Sequence, residues 1–319
     1  MGLVALTEVL PLLACPRCRS RVDEAADGFR CSAESCALAA PGSFPIIERR
    51  PAFVDFDRSI LEREDLLRRR DGEGLVARRW SIERLPRPLR SLWKPRNRVA
   101  ARNVAALLEL LPGSSPLILV IGGATMGNGV EAIYDRRRTR VVGFDIYGSS
   151  LVQFIADAHR IPLADGSVDA VLVQAVLEHV LDPAAVVAEI HRVLKPSGLV
   201  YAETPFLQQV HAGPYDFTRY TSSGHRYLFR AFEEVSAGPV AGPGTQMLTS
   251  IDHLVRALTR SELAGKLTRA LFFWLRYLDR AVPISFSMDN ASAYYFLGRR
   301  ADRELSPDEI VRYYRGAQR

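Results

Sequence analysis

The run Leu117-Ile118-Leu119-Val120-Ile121 is the strongest constraint on the fold. Five consecutive aliphatic residues leave neither face of an extended segment for water, so this strand belongs inside a sheet covered on both sides. Comparable runs recur at Val141 to Phe144, Phe154-Ile155, Ala170 to Val173 and Leu199 to Ala202. From Asn97 to Leu111 the apolar positions Val99, Val104, Leu107, Leu108 and Leu111 keep helical spacing, and Pro112-Gly113 ends the pattern. A second helix opens with Asp182 at its N-cap and Pro183 at its first position, and exits near Leu194 before Pro196 and Gly198. Strands alternating with helices predict an α/β fold whose mostly parallel sheet carries helices on both faces. Near the C-terminus, Phe232 to Val240 and Ser292 to Gly298 read as an antiparallel closing pair, which brings the sheet to seven strands.

The first of these strands runs into Gly122-Gly123-Ala124-Thr125-Met126-Gly127-Asn128-Gly129, with a short helix expected after it. Glycines there let the backbone approach a ligand closely and present amides to it. The next strand ends in Asp145, where a carboxylate can accept hydrogen bonds from both hydroxyls of a ribose. Together the two features indicate a nucleoside-bearing cofactor. Alone they suit a nicotinamide dinucleotide equally well.

The segments downstream of Asp145 are more specific. The third strand ends in Asp157-Ala158; then come Pro162-Leu163-Ala164-Asp165-Gly166-Ser167-Val168-Asp169, a fourth strand, Gln174-Ala175-Val176-Leu177-Glu178-His179-Val180, and Leu194-Lys195-Pro196-Ser197-Gly198-Leu199-Val200 after a helix. This ordered series, over about Asn97 to Arg300, resembles the Rossmann-like class I S-adenosylmethionine-dependent methyltransferases, especially those acting on small molecules, quinones and glycans. The resemblance implies that Gly122, Gly123 and Gly127 line the methionine and ribose part of S-adenosylmethionine. It gives the ribose diol to Asp145, the adenine amino group to Asp157 with Ala158 beside it, and the place under the sulfonium to Gln174. In two respects the chain departs from the family. Val120 stands where an acidic residue usually handles the cofactor's amino group, and the stretch from Asp145 to Phe154 has no room for the usual crossover helix.

Methyl transfer from a sulfonium is an in-line displacement, so the protein must align an acceptor atom and, for a hydroxyl, remove its proton. Histidine titrates near neutrality, which makes His179, past the fourth strand, and His211, past the fifth, the candidate catalytic residues, with a structural or positioning role as the alternative. The segment His211 to Thr221 contributes Tyr215, Asp216, Arg219 and Tyr220 as candidate substrate contacts, because loops at strand carboxyl ends carry ligand sites. The plainer alternative pairs Asp216 with Arg219 in a helix-entry loop.

Cys15-x2-Cys18 and Cys31-x4-Cys36 are the only cysteines, separated by twelve residues. Four thiolates in two knuckles suit tetrahedral structural zinc. With Ser43-Phe44-Pro45-Ile46 the segment resembles the zinc-ribbon activators of tRNA and rRNA methyltransferases, and the ribbon fused ahead of some rRNA guanine methyltransferases. The expected organisation is a zinc ribbon over 1–56, an Arg-rich linker or helical cover over 57–95, and a methyltransferase domain over 96–319 with a helical insertion at 241–290.

In that insertion Leu263, Leu267, Leu271, Trp274, Leu275 and Leu278 form a helical stripe among Lys266, Arg269, Arg276 and Arg280. It reads as a helix packed as a lid over the acceptor site, with peripheral membrane contact as the alternative. Leu12-Leu13-Ala14-Cys15 lacks the charged flank of a secretory signal, and no apolar stretch is long enough to span a bilayer, so a cytoplasmic location is expected. The expected acceptor is a small molecule, a lipid-linked compound or a glycan, methylated at oxygen. A net charge of +6 and the ribbon keep RNA methylation as a rival, although no RNA-binding module is present. A non-catalytic cofactor-binding scaffold is a second rival, favoured by Val120 and opposed by Asp145 and Asp157. The oligomeric state is not encoded in any motif found.

Overall fold

The computed structural model describes residues 2–68 and 96–318, so the basic clusters at Arg69-Arg70 and Arg78-Arg79 lie outside the described residues. The N-terminal segment holds four short strands, β1 (Val22–Ala25), β2 (Gly28–Cys31), β3 (Ile46–Ile47) and β4 (Arg50–Pro51). A seven-stranded sheet forms the body. Its strands are β5 (Leu117–Ile121), β6 (Arg140–Asp145), β7 (Phe154–Ile155), β8 (Val168–Gln174), β9 (Leu194–Pro205), β10 (Phe232–Ala241) and β11 (Ala293–Arg300). The order across the sheet is β10-β11-β9-β8-β5-β6-β7. β7, β6, β5, β8 and β9 run parallel, and β11 pairs antiparallel with both β9 and β10. This is the Rossmann-like architecture expected from the apolar runs.

Alternation along β5 divides the core in two. Ile118 and Val120 point to one face, where the helix Arg98–Leu110 packs Ala100, Val104 and Leu107 against them. Leu119 and Ile121 point to the other, which the helix Pro183–Val193 covers with Val186, Ile190 and Val193. Side chains cap both helices, the second as its sequence predicts: Asn97 Oδ1 accepts from the Ala100 amide at 2.9 Å, and Asp182 Oδ1 from that of Ala185 at 3.0 Å. No helix follows the glycine turn. Gly129, at φ +91°, turns the chain into a single 3-10 turn over Glu131–Tyr134, and β6 begins only a few residues later.

The N-terminal segment explains the missing crossover helix. Its hairpin of β1 and β2 leads to β3, β4 and then an arm lying along the sheet edge. Ala52 bridges to Ile155 in parallel, and the Phe53 amide donates to the Ile155 carbonyl at 2.9 Å. Arg50 donates to the carbonyls of Val152, at 2.6 Å, and Ser149, at 2.8 Å, inside the loop joining β6 to β7. Phe53 stacks edge-on against Phe29, Phe44 and Phe154. The face that a crossover helix would cover is therefore covered by this arm, and Cys15, Cys31, Phe44 and Phe53 share one core with Phe144 and Phe154.

The insertion differs from the expected single helix. Helices Pro243–Thr259 and Glu262–Leu271 are followed by 3-10 turns over Phe273–Arg280. Only Leu275 of the apolar stripe is buried, whereas Leu263, Leu267 and Leu271 are each more than 60 % exposed and Trp274 and Leu278 nearly half exposed. The row faces solvent rather than packing as a lid. No helix among the described residues is long and apolar enough to cross a membrane.

Candidate functional site

A cavity of about 750 Å3 opens at the carboxyl ends of the parallel strands. Gly122, Gly127, Asp145, Asp157, Ala158 and Gln174 all line it, as do His179, His211 and Tyr215. Its floor needs glycine. Gly122 has φ +72°, and a Cβ there would come within 2.3 Å of the Val176 side chain. At Gly127 a Cβ would come within 2.0 Å of Gln174 Oε1. Gly123 lies behind the wall, its amide donating to the Phe144 carbonyl at 3.0 Å.

Asp145 is buried at the end of β6 and accepts from the amides of Ala124, at 3.0 Å, and Ile146, at 2.7 Å. Burial raises its pKa to about 6, against the pull of those two amides. Each of its oxygens meets one amide, so lone pairs on both stay available to a diol. Asp157 caps the turn after β7, and its carboxylate meets the His159 amide at 2.9 Å, the His159 ring at 2.6 Å and the Ser59 hydroxyl. Burial works against its ionisation, but the bonds from His159 and Ser59 outweigh burial and hold its pKa below the ordinary value. Ser59, with the neighbouring pocket residues Ile60 and Leu61, brings the arm of the N-terminal segment to the rim of the cavity.

Glu203 was not evident from sequence. It lies two residues before the end of β9 in register with Gln174 on β8, buried and lining the same cavity. Asn97 Nδ2 donates to both its oxygens, at 3.1 and 3.0 Å, Gln174 Nε2 donates at 2.7 Å, and the Tyr201 hydroxyl also donates. All three partners are neutral, and burial raises the Glu203 pKa despite them. Gln174 also donates to the Asn128 carbonyl at 3.2 Å, while its own Oε1 is buried without a hydrogen-bond partner among the described residues. Ala175 adopts φ +55°, uncommon for a residue with a Cβ, and its amide is held by the Glu203 carbonyl at 3.0 Å.

At the cavity mouth the rings of His179 and His211 pack edge to face, 4.9 Å between centroids. Burial lowers the His179 pKa. Below them Glu178, only 1 % exposed, has a pKa that burial pushes up to about 8. Tyr215 alone of the four candidate substrate contacts lines the cavity. Asp216 and Arg219 are paired to each other through two bonds, one of 2.8 Å, the plainer of the two arrangements expected for that loop. Tyr220 packs against the core near His225 instead. No described residue of 241–290 lines the cavity, so the expected lid is not part of its wall.

The four cysteines converge as well. Cys15 and Cys36 Sγ stand 3.8 Å apart, Cys18 and Cys31 Sγ 3.3 Å, and all four sulfurs lie within 4.8 Å of one another. A tetrahedral ion with bonds of about 2.3 Å separates its thiolates by about 3.8 Å, so the set fits zinc.

Comparison with known families bears on the same elements. The family model described as "Methyltransferase domain" matches residues 122–202, from the glycine turn through β9. Those residues are similar to a methyltransferase domain. A protein of Mycolicibacterium smegmatis named as a probable S-adenosylmethionine-dependent methyltransferase is 36 % identical over 93 residues, 26 % of this chain and 36 % of that one. An uncharacterised 37.1 kDa protein of a Streptomyces fradiae transposon is 34 % identical over 112 residues, 31 % of this chain and 32 % of its own length. The chain thus spans only about a third of the length of each of these relatives. Among solved structures, phosphoethanolamine N-methyltransferase 2 of Haemonchus contortus, in complex with S-adenosylmethionine, aligns with TM-score 0.41 and 16 % identity over 63 % of this chain and 52 % of that one.

Proposed function

We propose that the protein is an S-adenosylmethionine-dependent methyltransferase whose cofactor occupies the 750 Å3 cavity and whose acceptor enters past His179 and His211. The observation that carries this reading is the convergence of Gly122, Gly127, Asp145, Asp157 and Gln174 on one cavity, within a stretch matching a methyltransferase domain. The fit is chemical as well as spatial: a floor that excludes a Cβ, a buried carboxylate with free lone pairs, and an orphaned amide oxygen at Gln174. When bound, the cofactor supplies an electrophilic methyl group on a sulfonium.

The residues divide the remaining work. Asp145 would accept the ribose hydroxyls, and Asp157, braced by Ser59 and His159, would border the adenine. Glu203 takes over from the acidic residue that Val120 replaces. It is a buried carboxylate with neutral partners on the same cavity wall, as an ammonium group requires. The acceptor we propose is a small molecule, lipid-linked compound or glycan, methylated at oxygen. The solvent-facing leucine row at 263–271 suits an acceptor carried on a lipid surface. We also propose that the cysteines hold one structural zinc, a closed four-thiolate site with no position left for water.

Calorimetry on the purified protein is expected to show one S-adenosylmethionine per chain and no binding of nicotinamide dinucleotides; the reverse preference would overturn the reading. Glu203→Gln keeps the shape but removes the charge. A charge-assisted hydrogen bond contributes about 1.5–3 kcal/mol, so the variant should bind S-adenosylmethionine about 10 to 100-fold more weakly. Methylthioadenosine, which lacks the amino-acid arm, should bind variant and parent alike. Equal losses for both ligands would point to a damaged cavity, and no loss for either would remove Glu203 from cofactor handling.

A further inference from the structure

Glu178, His179 and His211 meet at the mouth of the cavity with no donor placed between them among the described residues. Glu178 Oε1 lies 3.7 Å from Nε2 of His179 and 3.7 Å from Nε2 of His211, and one donor atom from each residue falls within 4.8 Å of the others. The carboxylate side chain is 1 % exposed, and neither of its oxygens has a hydrogen-bond partner among the described residues. A buried carboxylate in that state is costly unless a charge compensates it. Both rings have committed their other nitrogen. His179 Nδ1 donates to the Tyr215 carbonyl at 2.7 Å, and His211 Nδ1 lies 3.4 Å from both Asp216 Oδ2 and the Gln209 carbonyl. With the protons on Nδ1, the two Nε2 lone pairs face the Glu178 carboxyl, so apart from a proton held by that carboxyl itself no donor stands among the three groups. A backbone carbonyl or carboxylate behind each imidazole is also how metal-binding histidines are held in one tautomer. Asp216 is in turn clamped by Arg219.

We propose that Glu178, His179 and His211 bind a divalent transition-metal ion. An ion about 2.1 Å from each ligand atom sets neighbouring ligands about 3.0–3.4 Å apart, so the two 3.7 Å separations need to close by a few tenths of an ångström and the two imidazole nitrogens, which lie within 4.8 Å of each other, by up to about 1.5 Å. Two imidazoles and one carboxylate suit zinc, cobalt, iron or manganese, whereas magnesium and calcium prefer oxygen alone. Three protein ligands leave a coordination position free, and His179 and His211 both line the cavity, so that position faces the acceptor space. There the ion would hold an acceptor hydroxyl oxygen and lower its pKa, the proton passing to solvent. That last role rests on the methyltransferase reading; metal binding does not.

Cobalt(II) added to the full chain with zinc at the cysteines is the test. One ion should bind with visible d–d bands and without the thiolate charge-transfer absorption that a four-cysteine site produces. Glu178→Gln and His179→Ala should each weaken this uptake by more than about 100-fold, and Asp216→Asn, acting through His211, by about 10 to 100-fold. Circular dichroism and S-adenosylmethionine calorimetry report whether each variant is folded, and the half-exposed His211→Ala replaces any that is not. Absence of a non-thiolate cobalt spectrum, or a spectrum indifferent to Glu178→Gln and His179→Ala in folded protein, overturns the proposal. Cobalt uptake by a chain that binds no S-adenosylmethionine would leave the metal site standing and remove the methyltransferase reading.

Discussion

Replacing Cys31 by serine, or stripping zinc with a chelator, is expected to unfold the N-terminal segment and to take cofactor binding with it. Cys31 is buried and shares a core with Phe44, Phe53, Phe144 and Phe154, and the arm beyond β4 supplies Ser59 to Asp157 at the cavity rim. Structural zinc supplies about 10–16 kcal/mol of apparent binding energy in isolated zinc-finger peptides. Loss of only about 4 kcal/mol of this would lower the melting temperature by about 8–16 °C, at about 2–4 °C per kcal/mol for a domain of this size. Thermal unfolding with and without chelator, paired with S-adenosylmethionine calorimetry on the same samples, measures both effects. An unchanged melting temperature after verified metal removal would show that the cysteines contribute only as small apolar residues.

Asp145→Ala should weaken S-adenosylmethionine by about 10 to 100-fold, the worth of about 1.5–3 kcal/mol of charge-assisted bonding. The same carboxylate gives the binding a pH dependence whose sign can be worked out. Burial raises the Asp145 pKa to about 6 in the folded protein, so below that pH the group carries a proton. Hydroxyl donors prefer the carboxylate, so affinity should rise as pH increases through about 6 and level off above it. For the fold alone the sign is opposite: a raised carboxyl pKa stabilises the protein at low pH, and this contribution is lost as pH rises through about 6. Affinity that is flat across this range, or unchanged in the alanine variant, would remove Asp145 from the ribose site.

The parallel strands and their helices were legible because burial on both faces leaves an unmistakable apolar run, and because Asp182-Pro183 marks a helix start and Pro112-Gly113 a helix end by local chemistry. Asp145 and Gln174 end their strands and Asp157 follows β7 by two residues, and the carboxyl ends of parallel strands share one edge, which is why sequence order brought the three to one cavity wall. Glu203 lies near the end of β9, yet nothing local in Tyr201-Ala202-Glu203-Thr204-Pro205 distinguishes it; its meaning comes from the register that sets it beside Gln174. Glu178 precedes His179 in the chain, but the third member of that cluster arrives from a loop more than thirty residues later. The leucine stripe at 263–278 misled for a related reason. Helical spacing reports one apolar face and is silent on whether anything covers it, and here the helix breaks at Phe272 with most of the row in water.

Coverage of the β7 edge by the N-terminal arm also imposes an order of events during synthesis. Ala52 leaves the ribosome 103 residues ahead of Ile155, its pairing partner. At about 5–20 residues per second the arm waits roughly 5–20 s for its strand. The hairpin bearing Cys31 could close around the proposed zinc during that interval, since all four cysteines lie within the first 36 residues. The arm, with Phe53 exposed, cannot. A nascent chain lacking zinc would present both an unfolded hairpin and, later, a β7 edge with no cover, a combination that invites pairing with other chains. With zinc at the four cysteines, as proposed, metal supply at the moment of translation would set the yield of native protein.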